Sequence, residues 1–170
     1  MRGFSLVLCL IAATATAQEP VRAIPESTHA ESTPPPPPPT LEQVRYIEGL
    51  RTAGRGVAQL KDAVKRVSSS HHDPARLKQA AQRLGGLCGT ARGFMTSGRA
   101  KMQPTAYADS TRIKARRLSL QVDSLIRAMP TCQSNAARQP DSTATGLLSR
   151  IKTYDTALLD FRAAIALPNR

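Results

Sequence analysis

The side chains best suited to chemistry in this sequence are two adjacent histidines, a serine and lysine pair, and two carboxylates. His71 and His72 are strong metal ligands, but only Asp73 stands beside them in the sequence. A closed metal site needs three or four converging ligands. The two histidines are therefore weak candidates for a metal site, and a polar turn accounts for the same residues.

No nucleophile or acid–base pair stands out either. Ser149 and Lys152 have the S-x-x-K spacing of penicillin-binding enzymes, but the companion motifs are missing and the chain is too short for that fold. Asp155 and Asp160 are five residues apart, so they do not share a helical face. The glycines do not form a phosphate-binding loop. These patterns predict no catalytic residues and a protein that is not an enzyme.

A resident cofactor is not expected. The sequence has no haem-attachment motif, and non-covalent haem would require an inward-facing pair of His or Met ligands. Met95 and Met129 lie on apolar faces, where methionine usually fills the core. A carrier of a small ligand, metal or haem within a helical bundle stays open as the alternative function.

A group of arginines offers a binding surface instead. Arg112, Arg116 and Arg127 fall on the side of their helix opposite the apolar stripe, together with Ile113 and Leu120. Basic residues interleaved with aliphatic ones suit an anionic membrane surface or an acidic partner. A solvated face with two scattered aliphatic residues is the competing interpretation.

The charge of the chain supports a surface of this kind. Residues 41–170 hold 22 of the 24 Lys and Arg residues but only 9 of the 12 Asp and Glu residues, a net charge of +13. The electrostatic field of this positive charge attracts anionic surfaces. Nucleic acid is not an expected partner, because an exported protein rarely meets it and only three Phe and three Tyr are available for stacking.

The first seventeen residues have the pattern of a cleavable secretion signal. Arg2 provides the positive start, residues 4–13 are apolar, and residues 15–17 (Ala-Thr-Ala) are small, so cleavage is expected between Ala17 and Gln18. The apolar stretch is about half the roughly 20 residues that a membrane span needs. The sequence predicts an exported protein, periplasmic or extracellular, without a transmembrane segment in its mature form.

Two further features divide the mature chain. Residues 18–40 lack apolar periodicity and contain six consecutive prolines at 34–39, which predicts a disordered or polyproline II linker. Residues 41–170 then form one domain. Cys88 and Cys132 are the two cysteines left after signal cleavage, and in an oxidising compartment they are expected to form a disulfide.

Four segments of this domain have apolar residues at helical spacing, and none has strand spacing. The predicted boundaries are Thr40 capping the first helix with Gln43, Asp73 capping the second with Pro74 at its first turn, a third helix over about 110–129 ended by Pro130, and a fourth beginning near Asp141 or Ser142. The sequence thus predicts an all-α domain resembling a four-helix bundle.

The second helix carries small residues every four positions: Ala81, Gly85, Gly89, Gly93 and Ser97. This spacing predicts a ridge packed closely on Gly49, Ala53 and Gly56 of the first helix, with a break at Gly85 and Gly86 as the alternative. A tight, straight hairpin of the second and third helices would hold Cys88 and Cys132 too far apart for a disulfide. We therefore expect an offset between those helices, a bend at Gly85 and Gly86, or both.

These features together favour a non-enzymatic binding protein of a bacterial-type cell envelope. Its basic helical surface would contact anionic envelope components or an envelope protein.

Overall fold

The computed structural model describes residues 38–166, and they contain four long α-helices and no strand. The helices are α1 (Leu41–Ser69), α2 (Pro74–Lys101), α3 (Asp109–Asn135) and α4 (Pro140–Ala164), with a short 3₁₀ turn at Pro104–Ala106. The predicted all-α bundle is confirmed. The predicted signal peptide and nearly all of the predicted linker lie outside the described residues.

The first two helices begin where their capping residues predicted. Thr40 accepts a hydrogen bond from the Gln43 backbone N–H on its side-chain oxygen, and its own N–H donates to the Gln43 side chain at 2.9 Å. Asp73 accepts from the backbone N–H groups of the first turn of α2, which Pro74 opens. These bonds satisfy donors that a helix start otherwise leaves unpaired.

Consecutive helices pack antiparallel in the order α1, α2, α3, α4, and α4 closes the bundle against α1. The antiparallel sense of α2 and α3 follows from two links, because Cys88 joins Cys132 whereas Arg99, later in α2, meets Asp123, earlier in α3. Apolar side chains from all four helices form one continuous core. Met95 and Met129 are buried in this core, as their positions on apolar faces predicted.

Helices α1 and α2 approach each other closely, but the residues of α2 at this contact are not those of the predicted ridge. A Cβ at Gly56 would stand 2.7 Å from the carbonyl oxygen of Ala91, and a Cβ at Gly49 would meet the carbonyl of Gly98. Gly93 has open space beside it, and Gly85 and Gly89 lie beside α3. The small surface on α1 was therefore predicted correctly, but its partner on α2 was not, since a four-residue repeat drifts around the helix.

Helix α3 continues through Pro130 to Asn135, so the predicted stop at Pro130 is wrong. A proline removes one backbone hydrogen bond from a helix, a cost that surrounding packing can offset. Here the turns after Pro130 bury Cys132 and Ala136. Helix α2 likewise runs without interruption through Gly85 and Gly86.

The predicted offset between α2 and α3 is present and allows the disulfide. Arg99 is two residues before the end of α2, whereas its partner Asp123 is fourteen residues into α3. At 1.5 Å per residue the start of α3 therefore extends roughly 18 Å beyond the end of α2. With this offset the Cα atoms of Cys88 and Cys132 are 6.2 Å apart, and the two residues form the predicted disulfide.

Aromatic residues fill the end of the bundle created by this overhang. Tyr46 of α1, Tyr107 of the connection and Phe161 of α4 pack in a triangle with ring centroids 5.2 Å apart. The Tyr46 hydroxyl donates a hydrogen bond to the carbonyl of Ala115 at 2.8 Å. The connection between α2 and α3 is therefore part of the core.

No helix among residues 38–166 is long and apolar enough to cross a membrane.

Candidate functional site

The histidine pair lies in the turn between α1 and α2, and both side chains are exposed. His71 Nδ1 lies 3.1 Å from Asp141 Oδ1 at the start of α4. In the described part of the chain, no group of three or more His, Cys, Asp or Glu side chains converges. His71 thus connects the α1–α2 turn to α4.

The other sequence candidates for chemistry are spread over the surface of α4. Ser149 and Lys152 are exposed. Asp155 accepts from Lys61 at 2.7 Å, and Asp160 lies 3.5 Å from Arg117. The two carboxylates therefore form ion pairs with α1 and α3, so each has a structural role.

The three arginines predicted to form a basic face on α3 are all exposed, and so are Ile113 and Leu120, at 71% and 51%. Arg112 differs from the others because its Nε donates to the Tyr107 carbonyl at 2.8 Å. Arg116 and Arg127 are eleven residues apart, roughly 16 Å along the helix axis. The outer face of α3 consequently has two exposed aliphatic residues, Ile113 and Leu120, in the N-terminal half of the helix. Arg127 lies in the C-terminal half.

Arg127 lines a polar groove of about 400 Å³ between α3 and α4. Arg150 lines the same groove from α4, and its guanidinium donates to the Ser124 hydroxyl at 2.8 Å. The remaining polar lining comes from hydroxyl and amide side chains of both helices, including Thr131, Asn135 and Ser142. Arg150 was not identified from the sequence, because the pairing of α3 with α4 is a tertiary feature.

A second groove of about 510 Å³ lies between α1 and α2. Its lining has mixed charge, with Asp62, Arg66 and Arg83 around it. The side-chain oxygen of Gln59 is buried there without a hydrogen-bond partner. The acid balances part of the positive charge, so this groove has no strong preference for an anion.

A third groove of about 700 Å³ lies between α1 and α4. Its apolar lining consists of Ile47, Leu50, Val57, Ala58, Tyr154 and Leu158. Its charged lining consists of Arg51, Arg55, Lys61, Asp155 and Arg162. Both sets come from the flanks of α1 and α4 next to their buried stripes, so the groove combines an apolar floor with a mainly cationic rim.

Tyr154 is the most deeply buried polar side chain of this groove, with 2% of the residue exposed. Burial raises the pKa of its hydroxyl to about 12, and the nearby Asp155 carboxylate also raises this pKa. The hydroxyl therefore stays protonated at any physiological pH and can donate a hydrogen bond.

The groove between α1 and α4 was not predicted from the sequence. Arg51 and Arg55 are visible as like charges four residues apart on one helix face. However, the helix that packs beside that face could not be identified from the sequence.

The chain matches no known protein family, and no curated protein or solved structure resembles it.

Proposed function

We propose that this chain is a non-enzymatic binding protein of the cell envelope whose basic helical surface contacts anionic lipid headgroups. The observation that carries the proposal is the outer face of α3, where exposed arginines alternate with the exposed aliphatic residues Ile113 and Leu120. Arginine binds phosphate and carboxylate groups bidentately, while aliphatic side chains gain free energy by leaving water at a membrane interface.

The distribution of carboxylates supports a positive surface. Most acidic residues of the bundle form ion pairs with Lys or Arg: Glu48, Asp73, Asp123, Asp155 and Asp160. Exposed ion pairs contribute little to stability, but they neutralise the acids locally. Arg116 and Arg127 form no ion pair within residues 38–166, so their charge is available to an anionic partner.

The location in the envelope is part of the proposal and depends on the secretion signal predicted at residues 1–17. Its test is mass spectrometry of the exported protein. We expect a mature terminus at Gln18 and a disulfide-linked peptide pair containing Cys88 and Cys132. A terminus at Met1 on exported material would contradict the predicted signal.

The binding proposal is tested with vesicles of pure zwitterionic lipid and vesicles containing anionic phospholipid. Each arginine near an anionic membrane contributes about 1 kcal/mol to binding. The double variant R116Q/R127Q should therefore bind anionic vesicles roughly 30-fold more weakly, and all binding should weaken with added salt.

The matched control is R83Q/R92Q, which removes the same charge from exposed positions of α2. We expect this control to retain most of the affinity. Equal losses in the two double variants would contradict a specific role for α3, and no binding at low salt would contradict the membrane proposal itself. Capture of an acidic envelope protein without vesicle binding would show that the partner is a protein instead.

The alternative, a carrier of a small ligand, is favoured by one observation. The groove between α1 and α4 offers an apolar floor of suitable volume at the surface of the bundle.

A further inference from the structure

The groove between α1 and α4 has the shape of a site for one elongated apolar group. Gly54 lies in its wall on α1, and a Cβ there would meet only the Tyr154 hydroxyl, at 3.9 Å. Since no other side chain fills this space, Ile47, Leu50 and Leu158 line an open channel. A volume of about 700 Å³ is within the range of small-molecule sites.

The charges around this channel favour an anion. Lys61 is neutralised by Asp155 at 2.7 Å. Arg51, Arg55 and Arg162 line the same groove and form no ion pair within residues 38–166. Arg51 and Arg55 are also like charges four residues apart, an arrangement that destabilises a helix unless an anion lies between them.

A hydrogen-bond donor beside the channel adds polar recognition. The Tyr154 ring is buried, and its hydroxyl is the nearest atom to the open space beside Gly54, where no side chain or backbone group of the described residues accepts from it. The hydroxyl can therefore donate a hydrogen bond to a ligand oxygen in the groove.

We propose that this groove binds the carboxylate of a single-chain fatty acid, with its alkyl chain along the apolar floor and its headgroup at Arg51, Arg55 and Arg162. Arginine forks match the geometry of a carboxylate. A volume of about 700 Å³ suits one alkyl chain with one compact headgroup. This site lies between α1 and α4 and does not involve the outer face of α3. It rests on the small-ligand alternative given above and names the class of ligand.

The test is calorimetric titration of the delipidated mature protein with dodecanoate below its micelle concentration. We expect saturable binding with one ligand per chain. The double variant R51Q/R55Q should bind at least about tenfold more weakly, because two charge-assisted hydrogen bonds are lost. Gly54→Leu should also reduce binding about tenfold or more, because the leucine side chain would occupy the channel. We expect this variant to fold, because a Cβ at position 54 meets only the Tyr154 hydroxyl, at 3.9 Å.

Dodecanol and dodecyltrimethylammonium test the role of charge, since both have the same alkyl chain without the carboxylate. We expect at least tenfold weaker binding of both. Equal binding of the three ligands, or absence of saturable binding, would overturn the proposal. Tighter binding of dodecyl phosphate than of dodecanoate would overturn the choice of carboxylate.

The matched control for charge is R116Q/R127Q on α3, which should bind dodecanoate as the unmodified protein does. Vesicle binding by R51Q/R55Q is measured in parallel and should change little. The two sets of variants separate the two proposals, because failure at one surface leaves the result at the other intact. Far-ultraviolet circular dichroism checks that every variant is folded.

Discussion

At the scale of single residues, Gly56 and Gly93 occupy interior positions of α1 and α2 but differ in what a side chain there would meet. A Cβ at Gly56 would stand 2.7 Å from the Ala91 carbonyl oxygen and 3.2 Å from Met95 Cγ, whereas a Cβ at Gly93 would meet no heavy atom within 4 Å. The same substitution should therefore have opposite effects at these two positions.

We expect Gly56→Ala to lower the free energy of unfolding by about 1 to 2 kcal/mol, because the backbone of α2 must move away. Gly93→Ala should raise it by up to about 1 kcal/mol, because alanine favours the helix and nothing obstructs it. Urea denaturation of both variants measures the difference. A stabilised Gly56→Ala protein would contradict the close approach of α1 and α2.

Individual buried positions could be predicted only where the apolar period is regular. Leu118, Val122, Leu125 and Met129 recur every three or four residues in α3, and all four are buried. Val44 and Leu148 also fit the helical spacing of the apolar residues around them, but they are 40% and 39% exposed. Each lies at the edge of its stripe, where the neighbouring helix decides burial and the sequence alone does not.

At the scale of helices, local signals predicted the starts of α1 and α2 but not the end of α3. A capping residue acts on the next three residues, so Thr40 and Asp73 could be interpreted without tertiary information. Pro130 is a local signal of helix termination, yet long-range contacts of the following turns, including the Cys88–Cys132 disulfide, outweigh it. The expected disulfide did predict the offset of α2 and α3, because the limit on the Cα separation of two bonded cysteines does not depend on how the helices pack.

The disulfide should stabilise this offset pair of helices. It joins residues 44 positions apart, for which loop closure in the unfolded chain corresponds to roughly 4 kcal/mol, an upper value for most disulfides. We expect the double variant C88A/C132A to lose about 2 to 4 kcal/mol of the free energy of unfolding in chemical denaturation. Its α2 and α3 should be the first helices to show fast hydrogen exchange.

The control for this experiment is the unmodified protein treated with a thiol reductant under native conditions. Cys88 and Cys132 are 0% and 2% exposed, so reduction should require unfolding and proceed slowly. Retention of full stability in the double variant would contradict the contribution of the disulfide to the fold.

At the scale of the whole molecule, apolar periodicity predicted the fold class and composition predicted the positive charge, but neither predicted where the positive side chains come together. Arg127 was selected from its helix face, whereas its groove partner Arg150 lies on α4. Arg51, Arg55 and Arg162 were not selected at all, because their common groove depends on α4 packing beside α1. Sites formed between helices require the pairing of helices, which amphipathic patterns leave undetermined.

The three tyrosines of the sequence all lie within the bundle and report on its integrity as a whole. Burial raises the pKa of Tyr46 to about 12, only partly offset by its hydrogen bond with Ser119. Burial likewise raises the pKa of Tyr154 to about 12 and raises that of Tyr107. In the unfolded chain each hydroxyl should ionise near the ordinary tyrosine pKa of about 10.

Because the folded protein keeps these protons at pH values where the unfolded chain releases them, the tyrosines favour the fold fully below pH 10 and progressively less toward pH 12. Each of Tyr46 and Tyr154 should contribute a loss of roughly 2 to 3 kcal/mol across that interval. We expect tyrosinate absorbance to rise above pH 10 together with the loss of helical circular dichroism. The variants Tyr46→Phe and Tyr154→Phe should each weaken this pH dependence, although Tyr46→Phe also loses about 1 kcal/mol with its hydrogen bond to Ala115. Complete ionisation of the three tyrosines near pH 10 in a fully helical protein would contradict their burial.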